Sequence, residues 1–419
     1  MQKIKGTYDL MFDEIKKWQF VENKIKNILN LYNFQEIRTP IIEYEEIFNR
    51  SAQYSEMVSK EIFKFKDKKG RKIALRPEGT ASVVRSYIEN NIQKLQKLYY
   101  YGPFFRYERP QKGRYRQFYQ LGLEIIGVQN YLSEIELFLL IQEIIDNFNL
   151  NNKTVIKINN LGNKNSRKNF LKIFKSFIKK NQKELCFLCI ERKKKNILRI
   201  LDCKECSKKN FLKKAPIILD YLTLDVRKKF EQILNLLKKF NLNFVIEPKL
   251  VRGLDYYTDL VFEIEIFSNK ENKIVTLGGG GNYNDLMEVF KKPNTCNIGF
   301  ALGMERLISL LDENNYFSNL KLNTLEVFLF VLDSKLLLKS FFLLQKIRKS
   351  NILAEINYKF NNFSEQFKKI LIKKPKYVIF IGNKEIENEY LTIKNILNKE
   401  TYNFSTEEGI NFLIKELKK

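Results

Sequence analysis

Apolar residues near the start of the chain recur every three or four positions, which is the spacing of one helix face. This stripe predicts an amphipathic helix over residues 13–32 and consists of Ile15, Trp18, Val21, Ile25, Ile28 and Leu29. Short apolar runs alternating with charge and glycine over 99–127 predict two antiparallel strands joined by a basic turn at 111–116. Further along, the pattern predicts a strand at 260–267 and a helix at 303–311.

Strand and helix patterns alternate over the last hundred residues. The predicted elements are a strand at 325–332, a helix at 334–348, strands at 352–358, 377–381 and 391–396, a helix at 363–373 and a final helix from Thr406. Such alternation is typical of an α/β domain with a mixed sheet, so we expect a separate C-terminal domain at 323–419. Lysine-rich helical segments predict an inserted module at 160–240 within a core formed by 1–159 and 241–320.

The composition changes this picture in three ways. The 419 residues include no histidine, which excludes Ser-His-Asp and Cys-His catalysis and His-ligated zinc hydrolases. A net charge of +26 fits a polyanionic partner, although lysines spread evenly over a surface explain it equally well. No run of about 18 uncharged apolar residues and no signal-peptide pattern occurs, so we expect a cytoplasmic protein with no membrane partner.

Four of the five cysteines lie in two C-x-x-C pairs inside the inserted module. Cys186 and Cys189 form the first pair, and Cys203 and Cys206 form the second. In a reducing compartment this spacing is typical of a tetrahedral Cys₄ zinc site, because each pair offers two thiolates from one tight turn. Reduced cysteines without metal are the alternative.

Three segments centred on arginine carry the candidate chemistry. The stretch 104–124 holds five basic residues, a density that suits a triphosphate and an RNA backbone, although a solvated basic turn has the same composition. The second segment is Gly303-Met304-Glu305-Arg306-Leu307. The third is Arg252-Gly253-Leu254-Asp255-Tyr256-Tyr257, followed by four glycines at 278–281. Consecutive glycines weaken a strand, so they indicate a close approach of the backbone to another group.

With Lys5-Gly6-Thr7-Tyr8-Asp9 and Leu75-Arg76-Pro77-Glu78-Gly79-Thr80, these segments form five motifs in one order. They resemble the class II aminoacyl-tRNA synthetases and, within that class, the histidyl-tRNA synthetase family. The resemblance implies an α+β catalytic domain built on an antiparallel sheet, carrying the inserted helical and zinc-knuckle module, and a C-terminal α/β anticodon-binding domain. It also implies a homodimer that pairs near Thr39-Pro40-Ile41-Ile42.

The implied activity is ATP-dependent attachment of L-histidine to tRNA(His) through a histidyl-adenylate, with Mg²⁺ and with AMP and pyrophosphate as products. Arg106 and Arg252 would be catalytic, since both would meet the charge on the α-phosphate. The ATP site would comprise Arg106, Glu108, Arg114, Phe118 and Arg306. The histidine site would comprise Pro77, Glu78, Gly79, Thr80, Arg106, Gln120, Glu124, Arg252, Tyr256 and Tyr257.

Within that site, the resemblance implies that Glu124 and Tyr257 reach the two imidazole nitrogens, which selects histidine. The tRNA would contact Gln111, Lys112 and Arg116. The implied chemistry is compatible with a chain that has no imidazole, because positioning and electrostatic stabilisation dominate phosphoryl-type transfer.

The chain departs from the family pattern at four positions. Tyr107 and Tyr119 stand where the family commonly has histidine, and Asn282 and Asn284 replace an arginine and an aspartate, which leaves the roles of 282 and 284 open. The neighbouring Asp285 could supply the missing carboxylate, but its side chain would point to the other face of a strand.

Two other functions fit parts of the sequence. One is a catalytically silent paralogue that senses histidine, and the other is a general RNA-binding protein. Silent paralogues typically lack the phosphate-binding arginines and the anticodon-binding domain. The presence of Arg106, Arg252, Arg306 and the C-terminal domain therefore favours the enzyme.

Overall fold

The computed structural model describes residues 1–111, 113–128, 130–293, 295–318, 325–358 and 363–418, with all their side chains except those of residues 366, 369 and 371. The chain forms two compact units, Met1–Ser318 and Asn319–Lys419. Within the described ranges, none of the helices combines the length and the apolar character needed to cross a membrane.

Two sheets form the framework of the first unit. Its strands are β1 (Gln35–Glu36), β2 (Ile42–Tyr44), β3 (Lys64–Lys66), β4 (Lys72–Leu75), β5 (Gln96–Phe105), β6 (Gln117–Val128), β7 (Thr154–Asn160), β8 (Phe244–Ile246), β9 (Thr258–Ser268), β10 (Lys273–Asn282) and β11 (Cys296–Gly303). The large sheet has the order β1-β5-β6-β11-β10-β9-β7-β8, and the small one has the order β2-β4-β3. From β5 to β7 all neighbours in the large sheet are antiparallel, whereas the edge strands β1 and β8 pair in parallel. The antiparallel sheet confirms the predicted fold class.

The helices of the first unit cover this framework. They are α1 (Phe12–Leu31), α2 (Glu45–Ser51), α3 (Thr80–Glu89), α4 (Leu132–Asn147), α5 (Lys164–Lys180), α6 (Phe187–Lys195), α7 (Asn210–Lys213), α8 (Leu224–Lys239), α9 (Leu286–Val289) and α10 (Met304–Glu313). The predicted first helix is confirmed, and five residues of its apolar stripe, from Trp18 to Leu29, are buried. The helix after the arginine-containing junction at 303–307 is confirmed as α10.

The predicted hairpin is the longest pairing in the large sheet. Its two strands, β5 and β6, pair without a register shift from Gln96 opposite Ile126 to Phe105 opposite Gln117. Because side chains alternate along a strand, Phe118, Gln120 and Glu124 on β6 face the same side of the sheet. The hairpin therefore places the residues predicted for ATP and for histidine in one row.

The inserted module is the connection between the parallel neighbours β7 and β8, and it contains α5 to α8. On α5, Phe170 and Phe174 are fully buried and their rings stack with centroids 5.2 Å apart. Buried residues of the module and of α2, α3 and β5 form one continuous hydrophobic core. The module therefore packs against the framework of the two sheets, while its boundaries at 160 and 240 stay a prediction.

The second unit is a five-stranded mixed sheet with helices. Its strands are β12 (Val327–Val331), β13 (Ala354–Ile356), β14 (Tyr377–Ile381), β15 (Tyr390–Asn395) and β16 (Thr401–Ser405), and its helices are α11 (Leu337–Lys349), α12 (Phe363–Lys373), α13 (Asn383–Glu387) and α14 (Thr406–Leu417). The sheet order is β13-β12-β14-β15-β16, with parallel pairing among the first three strands and antiparallel pairing beyond them. The mixed α/β architecture is confirmed, and α13 and β16 are additional to the predicted elements.

Candidate active site

A cavity of about 460 Å³ lies against the large sheet of the first unit. Its wall contains twelve of the predicted site residues, namely Glu78, Gly79, Thr80, Arg106, Glu108, Arg114, Phe118, Gln120, Arg252, Tyr256, Tyr257 and Arg306. Pro77, Glu124, Gln111 and Arg116 lie outside this wall, and Lys112 lies outside the described residues. The motifs that are far apart in sequence therefore meet at one place.

Three arginines, Arg106, Arg114 and Arg306, lie close together on the cavity wall. Arg106 follows β5, where its Nε donates to the carbonyl oxygen of Pro77 at 2.9 Å, and its guanidinium lies 5.1 Å from the centre of the Phe118 ring. Arg306 on α10 donates to the main-chain oxygens of Gly113 and Thr276. Burial, followed by the nearby positive charge of Arg114, lowers the pKa of Arg306. An anion bound between these groups would relieve their repulsion.

The remaining arginine of this group, Arg114, is paired with a carboxylate. Arg114 pairs with Glu108 at 3.3 Å, and both side chains line the cavity. In the basic turn, Gln111 and Arg114 form an isolated antiparallel bridge, and the Arg116 guanidinium lies 4.0 Å from the centre of the Tyr107 ring. This part of the cavity wall is thus suited to a phosphate chain with a flat ring beside it.

The start of α3 supplies further polar groups to the same wall. The Glu78 carboxylate accepts hydrogen bonds from the backbone N–H groups of Thr80 at 2.7 Å and Ala81 at 3.0 Å, and from the Tyr256 hydroxyl at 3.3 Å. Despite these donors, burial raises the pKa of Glu78. A ligand ammonium group placed here would meet a carboxylate that is already held in one orientation.

Glu124 lies one layer behind this wall. Its Oε1 accepts hydrogen bonds from the hydroxyls of Thr80 at 2.7 Å and Tyr100 at 3.4 Å, and its side chain is buried. Burial raises the pKa of Glu124 to about 8. The opposite backbone position on β11 is Gly299, where any side chain would overlap the carboxylate. The Glu124 side chain therefore fits only because position 299 is a glycine.

Tyr100 is a wall residue that the sequence reasoning missed. Its ring lies over Gly79 and Gly122, and a Cβ atom at either glycine would overlap the ring. The hydroxyl end of Tyr100 reaches Glu124, and burial raises the pKa of this hydroxyl. The run of three tyrosines at 99–101 before Gly102 was the available signal.

The loop at residues 252–257 forms another part of the wall. Arg252 Nη1 donates to Glu263 on β9 at 2.5 Å, and the guanidinium lies 5.7 Å from the centre of the Tyr257 ring. A Cβ atom at Gly279 would lie 2.7 Å from Arg252 Nη1 and 2.6 Å from the Phe262 carbonyl oxygen. The absence of a side chain at Gly279 therefore leaves the space that the Arg252 guanidinium occupies. Glu263, which pairs with Arg252, is a second residue that the sequence did not predict.

The asparagines at the departures from the family pattern join strands of the sheet. Asn282 is buried and its amide donates to Glu134 at 3.3 Å and to the Asn297 carbonyl at 3.2 Å. Asn284 donates to Asp259 at 2.9 Å and accepts from the Asn297 N–H at 2.8 Å. Both side chains thus act in the framework of β9, β10 and β11. The neighbouring Asp285 lies 4.0 Å from Lys164 of the inserted module.

The tyrosines at two of the departures noted in the sequence, Tyr107 and Tyr119, pack against other aromatic rings. The Tyr119 ring packs edge-on against Trp18, with centroids 5.4 Å apart, and the Tyr119 N–H donates to Glu305 at 2.7 Å. Tyr107 is half exposed and packs edge-on against Phe63. Glu305 also accepts from the Tyr8 hydroxyl at 2.6 Å, which ties the first motif to the last. Both tyrosines are therefore accommodated by aromatic packing.

The four cysteines of the inserted module converge in a buried cluster. The Sγ atoms of Cys186, Cys189, Cys203 and Cys206 all lie within 4.8 Å of one another. Tetrahedral Zn–S bonds of about 2.3 Å place the sulfur atoms about 3.8 Å apart, and Cys186 and Cys203 are separated by 3.6 Å. The donor set and its spacing thus fit a tetrahedral thiolate site.

Comparison with known proteins agrees with this geometry. The family model for histidyl-tRNA synthetase matches residues 6–307, and the model for an anticodon binding domain matches residues 326–416. The chain is 50% identical to the histidine--tRNA ligase of Phytoplasma mali, covering all of this chain and 99% of that protein. It is 39% identical to the histidine--tRNA ligase of Staphylococcus haemolyticus, with 97% of both chains covered.

A solved structure gives the same result for the fold. The apo histidyl-tRNA synthetase of S. aureus superposes with a TM-score of 0.83 at 33% identity, covering 99% of this chain and all of that one. The predicted class II synthetase fold and the resemblance inferred from the motifs are therefore confirmed. This chain belongs to the histidyl-tRNA synthetase family.

Proposed function

We propose that this chain attaches L-histidine to tRNA(His) in an ATP-dependent reaction that passes through a histidyl-adenylate. The observation that carries this proposal is the meeting of Arg106, Arg252 and Arg306 in one cavity with the polar groups of Glu78 and Thr80. Such a cavity can hold a triphosphate and a small zwitterion side by side. The family's activity requires both substrates in this arrangement.

In the first step, the histidine carboxylate attacks the α-phosphate of Mg-ATP and pyrophosphate leaves. Arg106 and Arg252 stabilise the charge on the α-phosphate, and Arg306 holds the γ-phosphate. Glu108 accepts from the adenine amino group, Arg114 assists at the phosphates, and Phe118 stacks on the base. Mg²⁺ enters as part of the nucleotide substrate.

The residues at the start of α3 and in the loop 252–257 select the amino acid. Glu78, Thr80 and Gln120 hold the ammonium group, while Arg252 also holds the carboxylate until it reacts. Tyr257 pairs with one imidazole nitrogen from the cavity wall, and the other nitrogen reaches Glu124, which lies behind Thr80. A carboxyl group with a pKa of about 8 can donate or accept a hydrogen bond near neutral pH, as an imidazole also can. Analogues without the ring nitrogens leave these buried groups unpaired, which makes rejection strong.

The remaining wall residues support this assignment. The Pro77 carbonyl oxygen holds Arg106 in place, Gly79 admits the Tyr100 ring, and the Tyr256 hydroxyl steadies Glu78. In the second step, the terminal ribose hydroxyl of tRNA(His) takes the histidyl group and AMP leaves. Gln111, Lys112 and Arg116 contact the tRNA on the basic turn, and residues 323–419 bind the anticodon.

We also propose that Cys186, Cys189, Cys203 and Cys206 hold one structural zinc ion. When bound, zinc cross-links the two turns that flank the short helix α6 and the segment after it, which stabilises the fold of this part of the module. The cytoplasm, where we place the enzyme, keeps such thiols reduced and available. The proposed boundaries of the module are 160 and 240, between the two parts of the catalytic core at 1–159 and 241–320.

The active form is proposed to be a homodimer. The small sheet β2-β4-β3 exposes apolar side chains, with Ile42 at 52%, Tyr44 at 51% and Phe65 at 45% exposure. Ile41 beside them is 41% exposed. A cluster of this kind is suited to burial against a second copy, because exposed apolar patches of appreciable size mark interaction sites.

Histidine-dependent exchange of pyrophosphate into ATP tests the proposed activity. We expect the purified chain to exchange pyrophosphate with histidine and not with other amino acids, and to charge tRNA(His) transcripts. Binding of histidine without any exchange would contradict the proposal and would support the silent histidine sensor instead. The arginines that such a sensor does not need are all present in the cavity wall.

A further inference from the structure

The loop at residues 252–257 is held near both of its ends by arginines of the inserted module. Arg199 Nη1 donates to the carbonyl oxygen of Gly253 at 3.2 Å, and Arg167 Nη2 donates to the carbonyl oxygen of Tyr257 at 2.6 Å. Both acceptors are main-chain atoms. The two contacts therefore determine where the backbone of the loop lies, independently of the side chains it presents.

Arg199 is itself held in position within the module. Its Nε donates to Asp202 at 2.8 Å, and Asp202 also accepts from Arg192 Nη1 at 3.1 Å. Arg199 and Asp202 both line the cavity, and Asp202 directly precedes Cys203 of the cysteine cluster. The chain thus connects the cysteine cluster to the cavity wall through neighbouring residues.

Arg167 reaches the loop from a different element. It lies in the first turns of α5, and the carboxylates of Asp255, Asp259 and Asp285 act on its guanidinium. A guanidinium with several fixed acidic neighbours keeps its direction, so the bond to the Tyr257 carbonyl is well defined. The two arginines approach the loop from α5 and from the segment before Cys203, and together they form a clamp.

We propose that Arg167 and Arg199 are positioning residues for histidine binding, an inference that rests on the proposed function. Tyr257 pairs with the imidazole, and Arg252, which precedes Gly253, holds the carboxylate. Displacement of either end of the loop therefore weakens the hold on histidine. The residues proposed to bind ATP before the reaction lie on the β5-β6 hairpin and on α10, whereas Arg252 stabilises the charge that develops on the α-phosphate during the reaction. The clamp is therefore expected to affect histidine binding and kcat, and to leave the affinity for ATP unchanged.

The test compares three arginine-to-methionine variants of the full chain. Arg167→Met and Arg199→Met remove one clamp contact each and retain most of the side-chain volume. Arg227→Met is the matched control, because Arg227 Nη2 donates to the Leu219 carbonyl at 3.0 Å inside the same module. Pyrophosphate exchange is measured with histidine varied and then with ATP varied, and a thermal melt is recorded for each variant.

We expect the KM for histidine to rise about tenfold in each clamp variant, the effect of losing one hydrogen bond from a charged donor. The KM for ATP and the melting temperature stay near the wild-type values, and Arg227→Met matches the wild type. A fall in kcat with an unchanged KM for histidine overturns the proposal, and so does an equal rise in both KM values. An equal rise in both KM values indicates general destabilisation, and a fall in kcat alone indicates an effect on the reaction and not on histidine binding.

Two provisions keep the result decisive. If Arg167→Met does not fold, Arg167→Lys replaces it, since lysine retains a charged donor group. An intermediate KM for histidine then supports the proposal, and a wild-type KM for histidine overturns it. Arg199→Met stands independently of that outcome. A wild-type chain without histidine-dependent exchange contradicts the proposed function, whereas an active wild type with unaffected clamp variants contradicts the clamp alone.

Discussion

Replacing Glu124 by glutamine should make the ligand-free protein more stable at alkaline pH while weakening its activity. Glu124 is buried beside Thr80 and Tyr100, and burial raises its pKa to about 8. Ionising this buried carboxyl group at higher pH therefore lowers the stability of the fold. Glutamine has nearly the same shape and carries no charge, so Glu124→Gln removes this loss of stability and retains a hydrogen-bonding side chain.

The sign and size follow from proton binding. Between the ordinary pKa of 4.5 and about 8, the folded protein keeps a proton on Glu124 that the unfolded chain has released. The contribution of Glu124 to the free energy of unfolding is therefore fully present below pH 4.5, and it decreases as the pH rises toward 8. At about 1.4 kcal/mol for each pH unit, the wild type loses about 4 kcal/mol between pH 5 and pH 8 relative to Glu124→Gln.

Urea unfolding followed by tryptophan fluorescence measures this difference. The single tryptophan, Trp18, is buried on α1, so it reports on the first unit. Glu89→Gln is the surface control, since the Glu89 side chain is 68% exposed. Parallel stability profiles of the wild type and Glu124→Gln from pH 5 to pH 9 would refute the reasoning. In exchange assays, we expect Glu124→Gln to raise the KM for histidine about tenfold or more.

Four further outcomes are expected. Arg252→Ala should abolish pyrophosphate exchange while calorimetry still detects weakened histidine binding, and unchanged turnover would refute the role of Arg252. Gly279→Ala should lower kcat/KM about 100-fold, because a Cβ atom 2.7 Å from Arg252 Nη1 displaces the guanidinium, so a fully active variant contradicts the close approach. The purified wild type should contain about one zinc per chain by mass spectrometry and Cys203→Ser much less, whereas a metal-free wild type rules the site out. Ile42→Arg should shift the protein toward a monomer in light scattering, and a monomeric wild type would contradict the homodimer.

Local patterns were sufficient for the long elements of the fold. The apolar residues from Ile15 to Leu29 recur with the period of an α-helix because one face of α1 is buried, so this spacing alone predicts the helix. The alternation over 99–127 likewise predicts the β5-β6 hairpin. By contrast, α13 and β16 are short, and β16 alternates half-buried and exposed positions. Such elements depend on pairing with β15 and on capping contacts, which no periodic signal encodes.

The candidate site was predictable where a motif carries its chemistry. Arg106 and Arg306 each lie in a recognisable segment, and both reach the cavity wall. Tyr100 and Glu263 have no such segment, because their importance arises from contacts with residues that are distant in sequence. The ring of Tyr100 fits only because Gly79 and Gly122, from two different elements, both lack a side chain.

That fit of one ring over two glycines also indicates how the specificity of the pocket could be redesigned. A smaller residue at position 100 would open space next to Glu124 and leave every group proposed to bind phosphate, carboxylate or ammonium in place. A variant of this kind is a starting point for a ligase that charges an enlarged imidazole, such as a ring-methylated histidine analogue. Gly79 and Gly122 would then be free to accept side chains of their own, so the shape of the new pocket could be adjusted from two directions.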